Sequence, residues 1–217
     1  MTRLVPVQVT AELEAYLESL IPEREPVLAR LEQELEADNV PAIGVQVGNL
    51  LRLLLRMVGA GSALELGTAA GYSGIWLLRG LDQGRLVTLE TDPERAERAR
   101  RNFAEAGFEK QAEVREEDAL AYLERPGESF DCVFNDLLNS FPSEAVVERC
   151  FELSLTRLRP GGLLIADNAL RRGEVVRPTG RQARNVAHYN RLVAGSPQLD
   201  SVVIPMRDGV SLALLRK

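Results

Sequence analysis

A short apolar run leads directly into a glycine-spaced turn, and this pairing constrains the fold of the chain more than any other feature. The run covers Ser62 to Leu66, the turn holds Gly67, Gly71 and Gly74, and a helix-like segment begins at Ile75. A strand, a glycine turn and a helix in this order open a nucleotide-binding α/β unit, because glycine lets the backbone approach a ligand and the helix N-terminus offers unpaired N–H groups. We therefore expect a nucleotide-like ligand to bind at this turn.

A single acid follows the next apolar run, which covers Arg85 to Leu89. Glu90 stands close to the ~20 residues after the first glycine at which a ribose-binding acid is expected. A carboxylate at the end of a strand can accept hydrogen bonds from both hydroxyls of a ribose. The glycine turn and Glu90 together predict a ligand that contains a ribose.

The spacing of the glycines favours S-adenosylmethionine over a dinucleotide. A dinucleotide fold uses G-x-G-x-x-G so that its second glycine admits a pyrophosphate, whereas Gly67 and Gly71 are four residues apart. Glu65 precedes the first glycine, where its charge would repel a pyrophosphate and suit the ammonium and sulfonium of S-adenosylmethionine. The alternatives are a nicotinamide-dependent oxidoreductase, which this spacing disfavours, and a structural role for Glu65 and Glu90 as ordinary strand-end acids.

The composition is that of an ordinary soluble domain with a sizeable core. The chain has 217 residues, 45% hydrophobic and 27% charged, and its net charge of −6 argues against a nucleic-acid partner. Met1 to Thr10 lacks the apolar core of a signal peptide, and the most apolar segment, Leu50 to Val58, is too short to span a membrane. We expect a cytoplasmic protein without a membrane partner, built as one domain over 1–217 with a helical segment at 1–58 and an α/β core at 62–217.

The apolar pattern predicts helices that alternate with strands along most of the chain. Three helices precede the first strand, and the predicted strands are 62–66, 85–89, 112–115, 130–135, 162–166, 201–205 and 210–215. Alternating strands and helices build a parallel sheet, and the last two strands are close enough to pair as a hairpin. The prediction is therefore an α/β fold with a Rossmann-like, doubly wound, seven-stranded sheet, mostly parallel with an antiparallel C-terminal strand, plus N-terminal helices.

Side chains with oxygen donors come directly after the fourth and fifth predicted strands. Asp136 follows the fourth strand, and Asp167 and Asn168 follow the fifth. In such sheets the carboxyl ends of the strands form the ligand-binding edge, and two carboxylates with an amide carbonyl suit Mg²⁺ or Ca²⁺. No His or Cys accompanies them, which disfavours zinc. The alternative is structural, with an Asx turn at Asp167-Asn168 and a helix cap at Asp136.

The chain resembles the metal-dependent O-methyltransferases of the catechol and caffeoyl-CoA type. The matching motifs lie in register from about Gly44 to the C-terminus: Leu64-Glu65-Leu66-Gly67-Thr68, Gly71-Tyr72-Ser73, Glu90, Asp118-Ala119, Phe130 to Asp136, Gly161 to Asn168 with Gly173, and Asp208-Gly209. The resemblance implies transfer of a methyl group from S-adenosylmethionine to a hydroxyl of a small catechol-like or phenolic acceptor. It also implies a homodimer.

The resemblance assigns roles to particular residues of the chain. It implies that Gly67 and Ser73 hold the methionine end of the cofactor, that Glu90 binds the ribose, and that Asp118 and Ala119 contact the adenine. Thr68 is also expected to bind the cofactor, and Ile43 to lie against it. Asp136, Asp167 and Asn168 are expected to bind the divalent metal. Asp136 is expected to touch the cofactor as well. The implied metal is Mg²⁺, with Ca²⁺ and Mn²⁺ as alternatives.

The chain departs from the family pattern at the position of the usual base. Family members carry a lysine three residues after the first metal-binding aspartate, whereas this chain has Asn139. Because an amide is no base near neutral pH, no catalytic residue is assigned, and a cofactor-binding protein with altered or lost catalysis is the alternative. His188 is a candidate replacement, and the arginines around 171–184 could either attract an acidic acceptor or be a solvated loop.

Overall fold

A seven-stranded sheet runs through the part of the protein that the structure, a computed structural model, describes, which is residues 7–38 and 42–217. Its strands are β1 (Ser62–Leu66), β2 (Arg85–Glu90), β3 (Ala112–Glu116), β4 (Phe130–Asn135), β5 (Leu158–Ala166), β6 (Leu199–Ile204) and β7 (Val210–Leu215). They lie in the order β3-β2-β1-β4-β5-β7-β6, and β7 is antiparallel to both of its neighbours while the other pairs are parallel. The predicted fold class is confirmed.

Helices cover both faces of this sheet. They are α1 (Ala11–Ser19), α2 (Pro26–Ala37), α3 (Gly44–Val58), α4 (Tyr72–Gly80), α5 (Pro93–Glu105), α6 (Ala119–Glu124), α7 (Glu144–Thr156) and α8 (Arg181–Gly195), with a kinked 3₁₀ segment at Arg171–Val176. Local sequence explains several of the starts. Asp92 accepts hydrogen bonds from the first turn of α5, whose first residue is Pro93, and the Ser143 hydroxyl caps α7. Within the described residues, no helix is long and apolar enough to cross a membrane.

Two apolar layers, one on each face, hold the helices to the sheet. The first layer joins side chains of α2, α3, α4 and α5 to one face of the strands, and the second joins α6, α7 and α8 to the other. Successive strand residues serve opposite layers, so that Val133 packs into the second and Phe134 into the first. The helices α2 and α3, which precede β1, therefore share one core with a whole face of the sheet.

The strand order places the ligand-binding edge between β1 and β4. Chain crossovers leave this pair in opposite directions, β1 to β2 on one side and β4 to β5 on the other, which creates a crevice at the carboxyl ends of the strands. Backbone hydrogen bonds continue past the strand ends, from the Asp136 N–H to the Leu66 carbonyl at 3.0 Å and from the Thr68 N–H to the Leu89 carbonyl at 3.1 Å. The loops at this edge are therefore held in register with the sheet.

The structure extends some predicted elements and adds one. β5 begins at Leu158, four residues before the predicted start, because the Pro160-Gly161 pair lies within the strand, where the register to β4 shifts between Phe130 and Cys132. α4 begins at Tyr72 instead of Ile75. The 3₁₀ segment was not predicted, since its three-residue period leaves no amphipathic pattern in so short a stretch.

Candidate functional site

Two adjoining cavities open at the carboxyl edge of the sheet. The larger, of about 640 Å³, is lined by residues that include Gly67, Glu90, Asp118, Ala119, Asp136, Asn139 and Asn168. The smaller, of about 30 Å³, is lined by residues that include Ile43, Thr68, Ser73 and Asp136. Asp136 and Ala69 line both cavities. Most of the residues predicted to touch the cofactor or the metal therefore surround one crevice, while Glu65 and Asp167 are buried beside it.

The glycine turn is fixed by its neighbours on β2 and α5. The Gly67 N–H donates to the Leu89 carbonyl at 3.2 Å, and the Asn102 amide donates to the Ala70 carbonyl at 2.8 Å. Gly67 has a φ of 99°, and a Cβ there would come within 3.0 Å of the Leu137 side chain. Only glycine meets both the backbone and the steric requirement at this position.

The Glu90 carboxylate is held by three backbone N–H groups. Its Oε2 accepts from Ala69 at 2.9 Å, and its Oε1 accepts from Thr91 at 2.9 Å and from Asp92 at 3.0 Å. A carboxylate has about four lone-pair sites, so about one stays free for a ligand hydroxyl. The second hydroxyl of a ribose would have to share an oxygen with one of these N–H groups. This geometry orients Glu90 towards a single strong contact.

Glu65 is fully buried beside the turn and belongs to a chain of hydroxyl groups. Thr88 Oγ1 donates to Glu65 Oε2 at 2.6 Å and lies 2.5 Å from Thr68 Oγ1. Burial raises the pKa of Glu65 from 4.5 to about 7, against the lowering effect of the Ser73 and Thr88 hydroxyls. Glu65 Oε1 has no hydrogen-bond partner among the described residues. An acid in this state gains from a cationic neighbour.

The far end of the large cavity is formed by the loop between β3 and α6. The Asp118 carboxylate accepts a hydrogen bond from the Ala121 N–H at 3.0 Å and so caps α6, and Ala119 is buried beside it. Glu117 also lines the cavity, where its carboxylate is paired with Arg125. Glu117 was not predicted as a site residue, and the structure makes it part of the cavity wall.

The three predicted metal ligands lie at the ends of β4 and β5. Burial raises the pKa of Asp136 well above its ordinary value, and the negative charges of Asp167 and Glu65 raise it further. Burial likewise raises the pKa of Asp167 from 3.8 to about 6, and the charge of Asp208 adds to this. The Asn168 amide donates to Asp167 Oδ2 at 3.2 Å, with a left-handed φ of 61° that asparagine tolerates. Like charges brought together in a buried site favour a bound cation.

Asp136, Asp167 and Asn168 are here called the oxygen set. Their donor atoms differ from those of a cluster of acids and histidines. Within residues 7–38 and 42–217, no three His, Cys, Asp or Glu side chains come together as potential metal ligands. The set contains two carboxylates and one amide carbonyl, which are hard donors, and water or substrate oxygens would complete the coordination of a small divalent ion. The donor chemistry therefore fits Mg²⁺ or Mn²⁺ and disfavours zinc.

Asn139 contacts this set directly. Its Nδ2 donates to Asn168 Oδ1 at 3.0 Å, while its own Oδ1 is buried without a hydrogen-bond partner among the described residues. A buried, unpaired carbonyl oxygen leaves one acceptor for a donor that the protein does not supply. Asn139 thus orients the Asn168 amide and offers an oxygen to a ligand hydroxyl or a water.

A row of amides on α8 fixes the loops that carry these residues. Gln182 donates to the Asn139 carbonyl at 2.9 Å, Asn185 to the Phe141 carbonyl at 2.8 Å, and Asn190 to the Ala169 carbonyl at 2.7 Å. Analysis of the sequence missed them. The three-residue spacing of Gln182 and Asn185, close to one helical turn, was the available signal for these two, whereas Asn190, five residues further on, does not fit that period.

His188 lies away from the large cavity. Its Nδ1 is 3.8 Å from a Glu144 oxygen and its Nε2 is 3.5 Å from a Glu148 oxygen, so that it bridges α8 to α7. It does not line either cavity at the sheet edge. The geometry does not support the hypothesis that His188 replaces the missing base.

Comparison with known proteins identifies close similarity over nearly the whole chain. A profile of the O-methyltransferase family matches residues 18–217. A catechol O-methyltransferase of Niastella koreensis is 31% identical over 223 aligned positions, which cover 96% of this chain and 99% of that protein.

Solved structures show the same fold with SAM or with its demethylated product SAH bound. An O-methyltransferase from Bacillus cereus in complex with SAH superposes with a TM-score of 0.83 at 30% identity, covering 94% of this chain and 97% of that one. The O-methyltransferase TomG from Streptomyces achromogenes, involved in tomaymycin synthesis and solved with SAM, superposes with a TM-score of 0.81 at 32% identity, covering 95% and 96%.

Proposed function

The chain belongs to the O-methyltransferase family, and from this premise we propose that it methylates a hydroxyl of a small catechol-like or phenolic acceptor with the help of a divalent metal ion. The enzyme class and the cofactor follow from the family: it is an S-adenosylmethionine-dependent O-methyltransferase. The metal and the acceptor class are the proposal. A related protein named catechol O-methyltransferase supports the acceptor class.

One observation carries the proposal. Asp136 is one of the three oxygen donors, and it also lines both cavities in which we expect the cofactor. Asp136 and Asp167 are acids whose pKa values are raised by burial and by neighbouring negative charge, and Asn168 adds an amide oxygen. A cation among them would relieve the repulsion. An acceptor oxygen held at this point would stand at the edge of the cavity in which the methyl donor is expected.

A divalent ion in this set would bind through Asp136, Asp167 and Asn168. When bound, it would supply a fixed position for the acceptor hydroxyls and a lowered hydroxyl pKa. The chain itself supplies the orientation of the ligands. Asn139 fixes the Asn168 amide, and Gln182 fixes the Asn139 backbone, so that the set is held by hydrogen bonds from two further elements.

The proposed cofactor contacts follow the two cavities. Gly67, Thr68, Ser73 and Ile43 would surround the methionine end, Glu90 would accept a ribose hydroxyl, and Asp118 with Ala119 would border the adenine. Glu65 would act through its charge on the cationic end of the cofactor, because its unpartnered oxygen lies beside the turn. If any of these residues served only the fold, its substitution would leave the affinity for the cofactor unchanged.

We also propose that residues 1–217 form one domain and that the protein is a homodimer. The shared apolar layer of α2, α3 and α4 supports the single domain. The exposed apolar side chains of Leu53, Met57 and Val58 on α3 support a second copy as partner. Sedimentation of the purified chain at several concentrations tests the second point, since a monomer at every concentration would contradict it.

Turnover assays on catechol test the proposed function. The wild-type protein should methylate catechol with added Mg²⁺ and lose activity in excess EDTA, and Asp167→Ala should lose metal-stimulated turnover while S-adenosylmethionine still binds. Glu152→Gln, a substitution of an exposed acid on α7, is the matched control. Full activity in EDTA would contradict the metal. Cofactor binding without turnover of any hydroxylated aromatic would instead favour a binding protein.

A further inference from the structure

We propose that Arg171 is a positioning residue for the metal site, which it reaches through a series of hydrogen bonds. This inference rests on the proposed function, because the series ends at Asn168 and Asp167, two members of the oxygen set. Arg171 lies in the 3₁₀ segment after β5 and does not line the two cavities at the sheet edge. It would therefore touch neither the metal nor the acceptor, and its loss should nevertheless weaken the binding of a divalent ion.

Four hydrogen bonds in series, here called the relay, join Arg171 to the oxygen set. Arg171 Nη2 donates to Gln182 Oε1 at 2.7 Å, and Gln182 Nε2 donates to the Asn139 backbone carbonyl at 2.9 Å. Asn139 Nδ2 donates to Asn168 Oδ1 at 3.0 Å, and Asn168 Nδ2 donates to Asp167 Oδ2 at 3.2 Å. All four donors point from the guanidinium towards the carboxylate, so the relay has one direction.

The two ends of the relay fix the orientation of the amides between them. A guanidinium can only donate, so the Gln182 amide turns its oxygen towards Arg171 and its NH₂ group towards Asn139. An ionised carboxylate can only accept, so the Asn168 amide turns its NH₂ group towards Asp167 and its oxygen towards Asn139. The Asn168 oxygen, which is the proposed ligand atom, is thereby held in one direction.

The backbone joins the same two residues by a second route. The Arg171 N–H donates to the Asn168 carbonyl at 3.3 Å, and the Ala169 N–H between them donates to the Gly209 carbonyl at 2.8 Å. Arg171 and Asn168 both have left-handed backbones, with φ angles of 45° and 61°. For an arginine this conformation is uncommon, and it persists where the surrounding structure determines it. The turn therefore keeps Arg171 at a fixed place relative to Asn168.

The positive charge of Arg171 and its place in the relay predict opposite effects on cation binding. By Coulomb repulsion alone, removal of a guanidinium near a cation site would strengthen the binding of the ion. In the relay, the same removal takes the donor from Gln182 Oε1, so that the amides behind it can turn and the Asn168 oxygen loses its fixed direction. Groups that orient a metal ligand typically contribute roughly 10- to 100-fold to the affinity for the metal. The relay therefore predicts weaker binding.

Titration of the SAH-bound protein with Mn²⁺, followed by electron paramagnetic resonance, tests this prediction without turnover. Arg171→Met removes every side-chain donor and should weaken Mn²⁺ binding about tenfold. Arg171→Lys keeps a charged donor and should restore most of the affinity. Gln182→Glu should also weaken binding about tenfold, because a carboxylate cannot donate to the Asn139 carbonyl, although its negative charge alone would attract the ion.

The matched control is Arg172→Met, which removes the same charge from the next residue. Arg172 is exposed, and within the described part of the chain its backbone N–H, and not its side chain, forms the hydrogen bond to the Asp208 carboxylate. This variant should bind Mn²⁺ at least as tightly as the wild type. Calorimetry of SAH binding in EDTA should give equal affinities in all variants, because the relay does not include the cofactor contacts.

The results separate this inference from the proposed function. Mn²⁺ binding in Arg171→Met and Gln182→Glu that equals or exceeds that of the wild type would overturn the relay and leave the metal site intact. Equal losses in Arg171→Met and Arg172→Met would also overturn it, since the loss would then not depend on the hydrogen bonds. A wild type without stoichiometric Mn²⁺ binding would overturn the metal site and the role of Arg171 with it. If Arg171→Met no longer binds SAH, the result for Gln182→Glu decides.

Discussion

Replacing Glu65 with glutamine should change how the stability of the protein depends on pH. Glu65 is fully buried, and its pKa is raised from 4.5 to about 7. A raised pKa means that the folded state disfavours the carboxylate, so the stability associated with Glu65 is fully present below pH 4.5 and is lost as the pH rises through 7. The gap between these values corresponds to about 3 kcal/mol, since one pKa unit is worth about 1.4 kcal/mol.

The assay is urea unfolding at pH 5 and pH 8, without cofactor and in EDTA. Between these two conditions the wild type should lose about 2.5 kcal/mol more of its unfolding free energy than Glu65→Gln, because the amide does not ionise. Acids that do not interact with Glu65 titrate alike in both proteins and cancel in the comparison, whereas Asp136, whose pKa the charge of Glu65 raises, contributes to the difference. Glu152→Gln, at an exposed position, should follow the wild-type pH dependence.

The same substitution should weaken S-adenosylmethionine binding at pH 8 by roughly tenfold, because the neutral amide no longer attracts the cationic end of the cofactor. Equal pH dependence of the two proteins, within about 0.5 kcal/mol, would refute the argument that burial of this charge is costly. Equal cofactor affinity would refute its proposed role in the site.

Four further substitutions test other parts of the site and its supporting contacts. Glu90→Ala should weaken S-adenosylmethionine binding by roughly 1.5–3 kcal/mol in calorimetry. Glu94→Ala, on the exposed first turn of α5, is the control and should leave the binding unchanged. Equal losses of cofactor affinity in the two variants would reject the ribose contact. Asn139→Lys should raise the turnover of plain catechol at pH 7 by about 100-fold, the lower end for a general base, and an unchanged rate would show that proton removal is not limiting. His188→Ala should keep the wild-type pH–rate profile, so a collapse of activity would restore His188 as the base. Asn185→Ala should lower the unfolding free energy by about 1–3 kcal/mol, because a buried carbonyl loses its donor, and urea unfolding with no change would contradict this.

Local patterns were sufficient to predict the fold. The glycine turn after β1, the capping pair Asp92-Pro93 and the alternation of apolar runs each depend on neighbours in the sequence. The 3₁₀ segment and the full length of β5 were not predicted. β5 continues through Pro160-Gly161 because β4 accommodates the irregularity with a register shift, which depends on a partner strand that local sequence does not reveal.

The candidate site was predicted in part, since its residues end strands whose carboxyl ends meet at one edge. The supporting hydrogen bonds were not predicted. Gln182 and Asn185 lie more than 40 residues from the loops that they hold, and the burial that raises the pKa of Glu65 depends on the packed sheet. Such contacts become visible only when distant segments are placed together.

Direct titration of Mn²⁺, followed by electron paramagnetic resonance, tests the proposed metal site most directly. The SAH-bound wild type should bind one ion per chain and release it to excess Mg²⁺, and Asp167→Ala should lose this binding while Glu152→Gln keeps it. The absence of stoichiometric Mn²⁺ binding in the wild type, or equal binding in Asp167→Ala, would contradict the proposal that Asp136, Asp167 and Asn168 hold the ion that orients the acceptor.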